Sequence, residues 1–232
     1  MNKSAWDNLH LAVTAVWLLA ALYMIFLYAP QESTMGEVQR IFYIHMPTAV
    51  VALTAYSAAF LASMVYLAKR HRTADDFAYA SAEVGFVFCT CVLVTGPLWA
   101  KPVWGIWWTW DARLTSTFVL WLLFISYLML RRYLINPDQA EVLSAVVSII
   151  GFADALFDYM SIRWFRTQHP QPVIAGGPGS GLDPKMQLTL AVSLGAFLCL
   201  AVYLIRQRVA LARTARELSQ LRRQSASKEA RA

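Results

Sequence analysis

The sequence is poor in charge and in the residues that punctuate soluble folds. Of its 232 residues only 15% are Asp, Glu, Lys or Arg, where a soluble domain carries about 25%. Glycine numbers 10, proline 9 and cysteine 3. So few cysteines exclude a disulfide-built secreted scaffold, and so few glycines exclude a collagen-like repeat. A hydrophobic fraction of 58% excludes a disordered chain. No phosphate loop is present either. Gly176-Gly177-Pro178-Gly179-Ser180-Gly181 lacks the Gly-Lys-Ser/Thr ending and reads as flexible linker, so the chain hydrolyses no ATP itself.

What the sequence has in abundance is long apolar runs. Six are long enough to cross a bilayer: 9–29, 49–68, 79–98, 114–130, 142–159 and 188–205. They predict an all-α integral membrane protein, a six-helix bundle over residues 1–206 with a basic tail at 207–232. The first run is too long for a signal-peptide core and ends in Tyr28-Ala29-Pro30, so it is expected to remain in the mature protein. With six crossings both termini share one side. That side holds fourteen Lys and Arg, eight of them in the tail, and the other holds six: Arg40, Lys101, Arg113, Arg163, Arg166 and Lys185. The positive-inside rule places the termini in the cytoplasm, on the strength of the tail. The net charge of +6 sits beside helix ends and in that tail, where basic residues face anionic lipid, so nucleic acid is not an expected partner. Leu211, Leu218 and Leu221 among the tail arginines suggest a helix on the membrane surface or against a partner, or a solvated extension.

The cytoplasmic connections, 69–76 and 131–141, read as turns, whereas the outer ones carry the chemistry. Five of the nine tryptophans fall in Trp99-Ala100-Lys101-Pro102-Val103-Trp104-Gly105-Ile106-Trp107-Trp108-Thr109-Trp110-Asp111-Ala112-Arg113-Leu114-Thr115. An aromatic belt at the headgroups accounts for single rings such as Trp6 and Trp121. A cluster beside Pro102 and Gly105 makes a local apolar slab instead, and if the stretch is helical Trp104, Trp107 and Trp108 share a face. Such a face suits a large, flat, hydrophobic ligand. Asp111, at its edge, is either part of that platform or a helix cap. Arg113 can stack on the rings or grip a carboxylate.

Among four histidines, His10 lies within the first helix and His71 in a basic run, and neither needs a special role. His45 closes the first outer loop and His169 lies in the third, either side of the tryptophan loop. Two imidazoles flanking an aromatic slab fit an axial pair on haem iron. Covalent attachment is excluded because Cys-x-x-Cys-His is absent, and Cys89 and Cys91, roughly 200° apart on a helix, are packing residues. Three carboxylates fall within or at the ends of spans. Glu83 can reach the interface, while Asp154 and Asp158 suit an ion pair with Arg163 or Arg166, or else a proton or metal site.

With these residues identified, the chain resembles the cytochrome c maturation haem-handling family, specifically haem exporter protein C. Its stretch from Trp104 to Thr115 is similar to that superfamily's tryptophan-tryptophan-aspartate signature, and the resemblance covers nearly the whole chain. It implies a bacterial inner-membrane protein that binds non-covalent haem b at the periplasmic face and passes it to the haem chaperone CcmE. The implied partners are an ATP-binding cassette complex of CcmA and CcmB and the small protein CcmD. Haem would lie on Trp104, Trp107, Trp108 and Trp110, bordered by Asp111, with His45 and His169 on the iron. Arg113, Lys101, Arg163 and Arg166 would balance the propionates. The family commonly has Leu-His-Gln around its second histidine, and this chain has Thr167-Gln168-His169-Pro170 there. No side chain suggests catalysis, so the chain reads as a transfer protein rather than an enzyme. The alternatives are a b-type, quinol-reactive electron-transfer subunit, and a small-molecule permease working through Glu83, Asp154 and Asp158.

Overall fold

The computed structural model describes residues 3–169 and 181–229. Pro170 and nearly all of the glycine-rich segment expected as linker lie outside the described residues. Six helices are long and apolar enough to cross a membrane, and no strand occurs among the described residues. Helix α1 is Lys3–Tyr23, extended by one π-helical turn, Met24–Tyr28. A 3₁₀ turn, Glu37–Ile41, leads directly into α2, Phe42–Lys69. Then come α3 (Arg72–Trp104), α4 (Ala112–Tyr133), α5 (Pro137–Trp164) and α6 (Pro184–Glu229). The connections within α2 to α5 are short, so those helices run antiparallel. One end of the bundle gathers the chain termini. The other gathers the tryptophan loop and both candidate histidines.

Local chemistry explains where the helices stop. Asn136 caps α5 by accepting from the backbone N–H groups of Asp138 (3.0 Å) and Gln139 (3.4 Å), with Pro137 in the first turn, where its missing N–H costs nothing. Gly105, at φ +76°, ends α3 in the left-handed conformation that glycine adopts without strain. α6 runs from the bundle into the basic tail without a break.

The core forms where small residues let aromatic rings approach a backbone. Tyr56 of α2 stacks on Phe124 of α4 with centroids 3.6 Å apart. A Cβ at Gly85 would come within 2.7 Å of the Tyr56 ring, and one at Gly151 within 2.8 Å of Phe124. Hydrogen in place of a methyl at these points therefore sets how closely α3 and α5 approach the pair. A second, smaller core at the histidine end joins Ile25 and Ala29 to Phe42, Tyr43, Met186 and Leu190, with Trp99 against it. The Arg40 guanidinium ties this end together, pairing with Glu37 and donating to the carbonyl of Ile25.

At the terminal end the charges are paired across helices. Arg131 of α4 grips Asp75 of α3 through two bonds of 2.6 and 2.7 Å, and Arg216 of α6 pairs with Asp76. Arg208 of α6 grips Glu83 through bonds of 2.6 and 2.5 Å. Two expectations are thereby corrected. Glu83 does not simply reach for the interface, and 72–76 is the first turn of α3, with Asp75 and Asp76 buried, rather than connection.

Candidate functional site

His45 is the fourth residue of α2 and stands inside the helix, not in a loop. Its position is fixed from three sides. The 3₁₀ turn and the Arg40 tie set where α2 begins, the Trp99 ring packs against the imidazole at 5.8 Å, and Thr95 of α3 bonds its Nδ1 at 2.8 Å. Pro47 follows in α2, and Pro97 and Pro102 lie in the last turns of α3. A proline has no N–H, so the carbonyls of Tyr43, Leu93 and Leu98 lose their helical donors at this end. Membrane helices tolerate this where neighbouring groups line a site.

The tryptophan loop is not helical beyond Trp104, because Gly105 ends α3 and α4 begins only at Ala112. The shared helical face expected for Trp104, Trp107 and Trp108 therefore does not form. Instead the rings spread over the end of α3 and α4. Trp107 lies under the Lys101 amine, 5.9 Å away, and that amine also donates to the Gly105 carbonyl at 2.8 Å. Trp108 and Trp110 meet edge to face at 5.7 Å, and Trp110 meets Phe118 at 6.2 Å. With Thr90, Leu93, Val94, Pro97 and Trp121 they line an apolar groove of about 380 Å³ between α3 and α4. By helical spacing, the α3 residues of that groove lie on the face away from Thr95. The ring beside His45 is Trp99, which the sequence reading left out of the platform. Trp107 and Trp110 remain 55% and 74% exposed, so their faces are open to a ligand.

Asp111 joins the tryptophan loop to the loop of His169. Its Oδ1 caps α4 by accepting from the Leu114 N–H at 2.9 Å. Its Oδ2 accepts from Thr109 Oγ1 (3.1 Å), Thr167 Oγ1 (2.8 Å) and the Gln168 N–H (3.1 Å). Thr167 Oγ1 in turn accepts from the His169 N–H at 3.1 Å. Burial acts to raise the pKa of this carboxyl, but the four hydrogen bonds outweigh it and hold the value below the ordinary 3.8. Asp111 is thus a cap and a tether at once.

The cations are distributed unevenly. Arg113 and His169 both lie within electrostatic reach of His45, and Arg113 donates to the Asp158 carbonyl at 3.0 Å. Arg163 sits 5.3 Å over the Tyr159 ring, and Arg166 is exposed. Neither arginine forms an ion pair with Asp154 or Asp158 among the described residues, so that expected pairing is absent. Asp158 Oδ1 accepts instead from Ser116 (2.8 Å) and Thr117 (2.9 Å). Asp154 Oδ2 is buried and has no hydrogen-bond partner among the described residues. No cluster of three or more His, Cys, Asp or Glu is placed to hold a bare metal ion among those residues.

Thr95, Thr167 and Trp99 escaped sequence reasoning. The signal for Thr95 was a lone hydroxyl in the apolar run Val92-Leu93-Val94-Thr95, and that for Thr167 was its place two residues before a candidate ligand.

Six spans, a tryptophan-rich connection and two imidazoles at one end of the bundle define the class: a multi-pass membrane protein with a candidate site at that end. Comparison with known proteins supplies the family. The family model for heme exporter protein C matches residues 3–225. The heme exporter protein C of Rhodobacter capsulatus is 31% identical over 91% of this chain and 89% of its own. That of Bradyrhizobium diazoefficiens is 34% identical over 83% of this chain and 73% of its own. That of Escherichia coli strain K12 is 31% identical over 88% and 82%. The chain belongs to the heme exporter protein C family.

Proposed function

We propose that this chain is a haem-handling component of cytochrome c maturation, holding haem b non-covalently at the periplasmic face of the bacterial inner membrane and delivering it to the chaperone CcmE. His45 and His169 would ligate the iron, and the exposed rings of Trp104, Trp107 and Trp110, with the half-buried Trp108, would cover the porphyrin. Arg113, with Lys101, Arg163 and Arg166, balances the propionates, since two carboxylates beside an apolar surface need cationic partners. CcmA, CcmB and CcmD are its partners, and energy from ATP enters through them. Haem is cargo, bound and released. The chain acts by positioning and makes no bond to the porphyrin itself.

The observation that carries this reading is the placement of His45. Its hydrogen bond is made through Nδ1, which leaves Nε2 for iron, and His169 and Arg113 lie within its electrostatic reach. The indole N–H groups of Trp99 and Trp108 are buried without partners among the described residues, as donors awaiting a polar ligand edge would be. Absorption spectroscopy of the purified chain tests the reading. Protein from haem-replete cells is expected to show a bis-imidazole haem spectrum that weakens in His45→Ala and His169→Ala. A haem-free wild-type preparation would overturn it.

A further inference from the structure

We propose that Thr95 is a positioning residue that locks the His45 imidazole in the Nδ1–H tautomer, so that Nε2 presents its lone pair to iron before haem arrives. The proposal rests on the reading of His45 as a ligand and adds how the ligand is prepared. The argument follows one proton. A threonine hydroxyl has a single hydrogen and two lone pairs. Thr95 Oγ1 lies 2.7 Å from the carbonyl oxygen of Cys91, one turn earlier in α3. A carbonyl can only accept, so the hydroxyl proton is committed there. Thr95 Oγ1 also lies 2.8 Å from His45 Nδ1. With its proton already engaged, the oxygen can only accept from Nδ1, which must carry the hydrogen. In a neutral imidazole the other nitrogen is then unprotonated, which is the form that binds metal.

The surroundings hold that geometry. Trp99 packs on the ring at 5.8 Å, and the nearest approach of a Cβ built at Gly96 would be 3.6 Å from His45 Cε1, so α3 covers the imidazole without crowding it. The Thr48 hydroxyl donates to the His45 carbonyl at 2.7 Å and steadies the backbone. A partner that orients a ligating histidine is worth about 10–100-fold in metal affinity. Here the partner is a neutral hydroxyl, so the ring is oriented without the added negative charge that a carboxylate would bring to the iron.

The test uses full-length protein in lipid nanodiscs, prepared without haem and labelled with ¹⁵N-histidine. Nitrogen NMR separates protonated from lone-pair ring nitrogens, and the His45 signals are those missing from His45→Ala. Wild type is expected to show His45 with Nδ1 protonated and Nε2 bare. Thr95→Val is expected to mix the tautomers and weaken haem binding about 10–100-fold, and Thr95→Ser to restore both. An Nε2–H tautomer in wild type, or a Thr95→Val protein unchanged in both tautomer and affinity, overturns the proposal. The two readings fail separately. Undiminished haem affinity in His45→Ala removes His45 as a ligand, whereas lost affinity there together with an Nε2–H wild type removes only the role of Thr95.

Discussion

The carboxylate of Asp111 accepts four hydrogen bonds from two separate segments, one on Oδ1 and three on Oδ2. The sequence placed Asp111 at the start of the fourth span, and capping was readable from that position alone. Its bonds from Thr167 and Gln168 through Oδ2 were not, because those residues lie more than fifty positions away in sequence. Asp111→Ala is therefore expected to cost more than the ~1 kcal/mol of a lost helix cap and to weaken haem binding by releasing the loop of His169. Denaturation midpoints and haem titrations of the variant measure the two effects. Asp111→Asn keeps one acceptor oxygen and should fall between. The sign of the pH dependence follows from the lowered pKa. The stabilisation is present above the ordinary carboxyl value and is lost as pH falls through the lower folded one, so the tether stays intact at neutral pH.

At the scale of elements, α6 is held to α3 by charge, and burial decides which pairs matter. Asp75 and Arg131 expose only 4% and 10% of their side chains, while Glu83 and Arg208 expose 22% and 41%. Asp75→Asn leaves a buried guanidinium without its counter-charge and is expected to destabilise the bundle by about 3–5 kcal/mol. Arg208→Ala breaks a pair that water already screens and should cost less than about 1 kcal/mol. Thermal unfolding in detergent ranks the two, and equal effects would show that the tail helix, not the buried pair, carries the stability. The sequence showed Asp75 and Glu83 but named no partner for either. Charge pairing between helices depends on which faces meet. Small residues such as Gly85 and Gly151 set that by letting Tyr56 and Phe124 close the gap, and nothing in the local pattern around Asp75 or Glu83 reports it.

At the scale of the whole molecule, direction across the membrane decides which compartment the candidate site faces. Cytoplasmic termini, as the positive-inside count predicts, would put His45, the tryptophan loop and Asp111 on the periplasmic side. A reporter fused to the C-terminus is expected to be active only in its cytoplasmic form, and a cysteine placed at Ile106, 39% exposed, to react with an impermeant thiol reagent from outside. The reverse pattern would put the site on the wrong side for delivery to a periplasmic chaperone.

By itself the sequence determined the six spans, the tryptophan signature and the family, because bilayer crossing depends on the length of a contiguous apolar run and a signature on adjacent residues. Only the tertiary structure decided the partners: Thr95 on His45 across 50 residues, Thr167 on Asp111 across 56, Arg208 on Glu83 across 125. It also decided that the tryptophans spread around the end of α3 instead of forming one helical face, because the left-handed turn at Gly105 ends the helix before Trp107. Hydrogen bonds join atoms within about 3 Å, and which atoms come that close is set by how helix faces pack, a property no single segment contains.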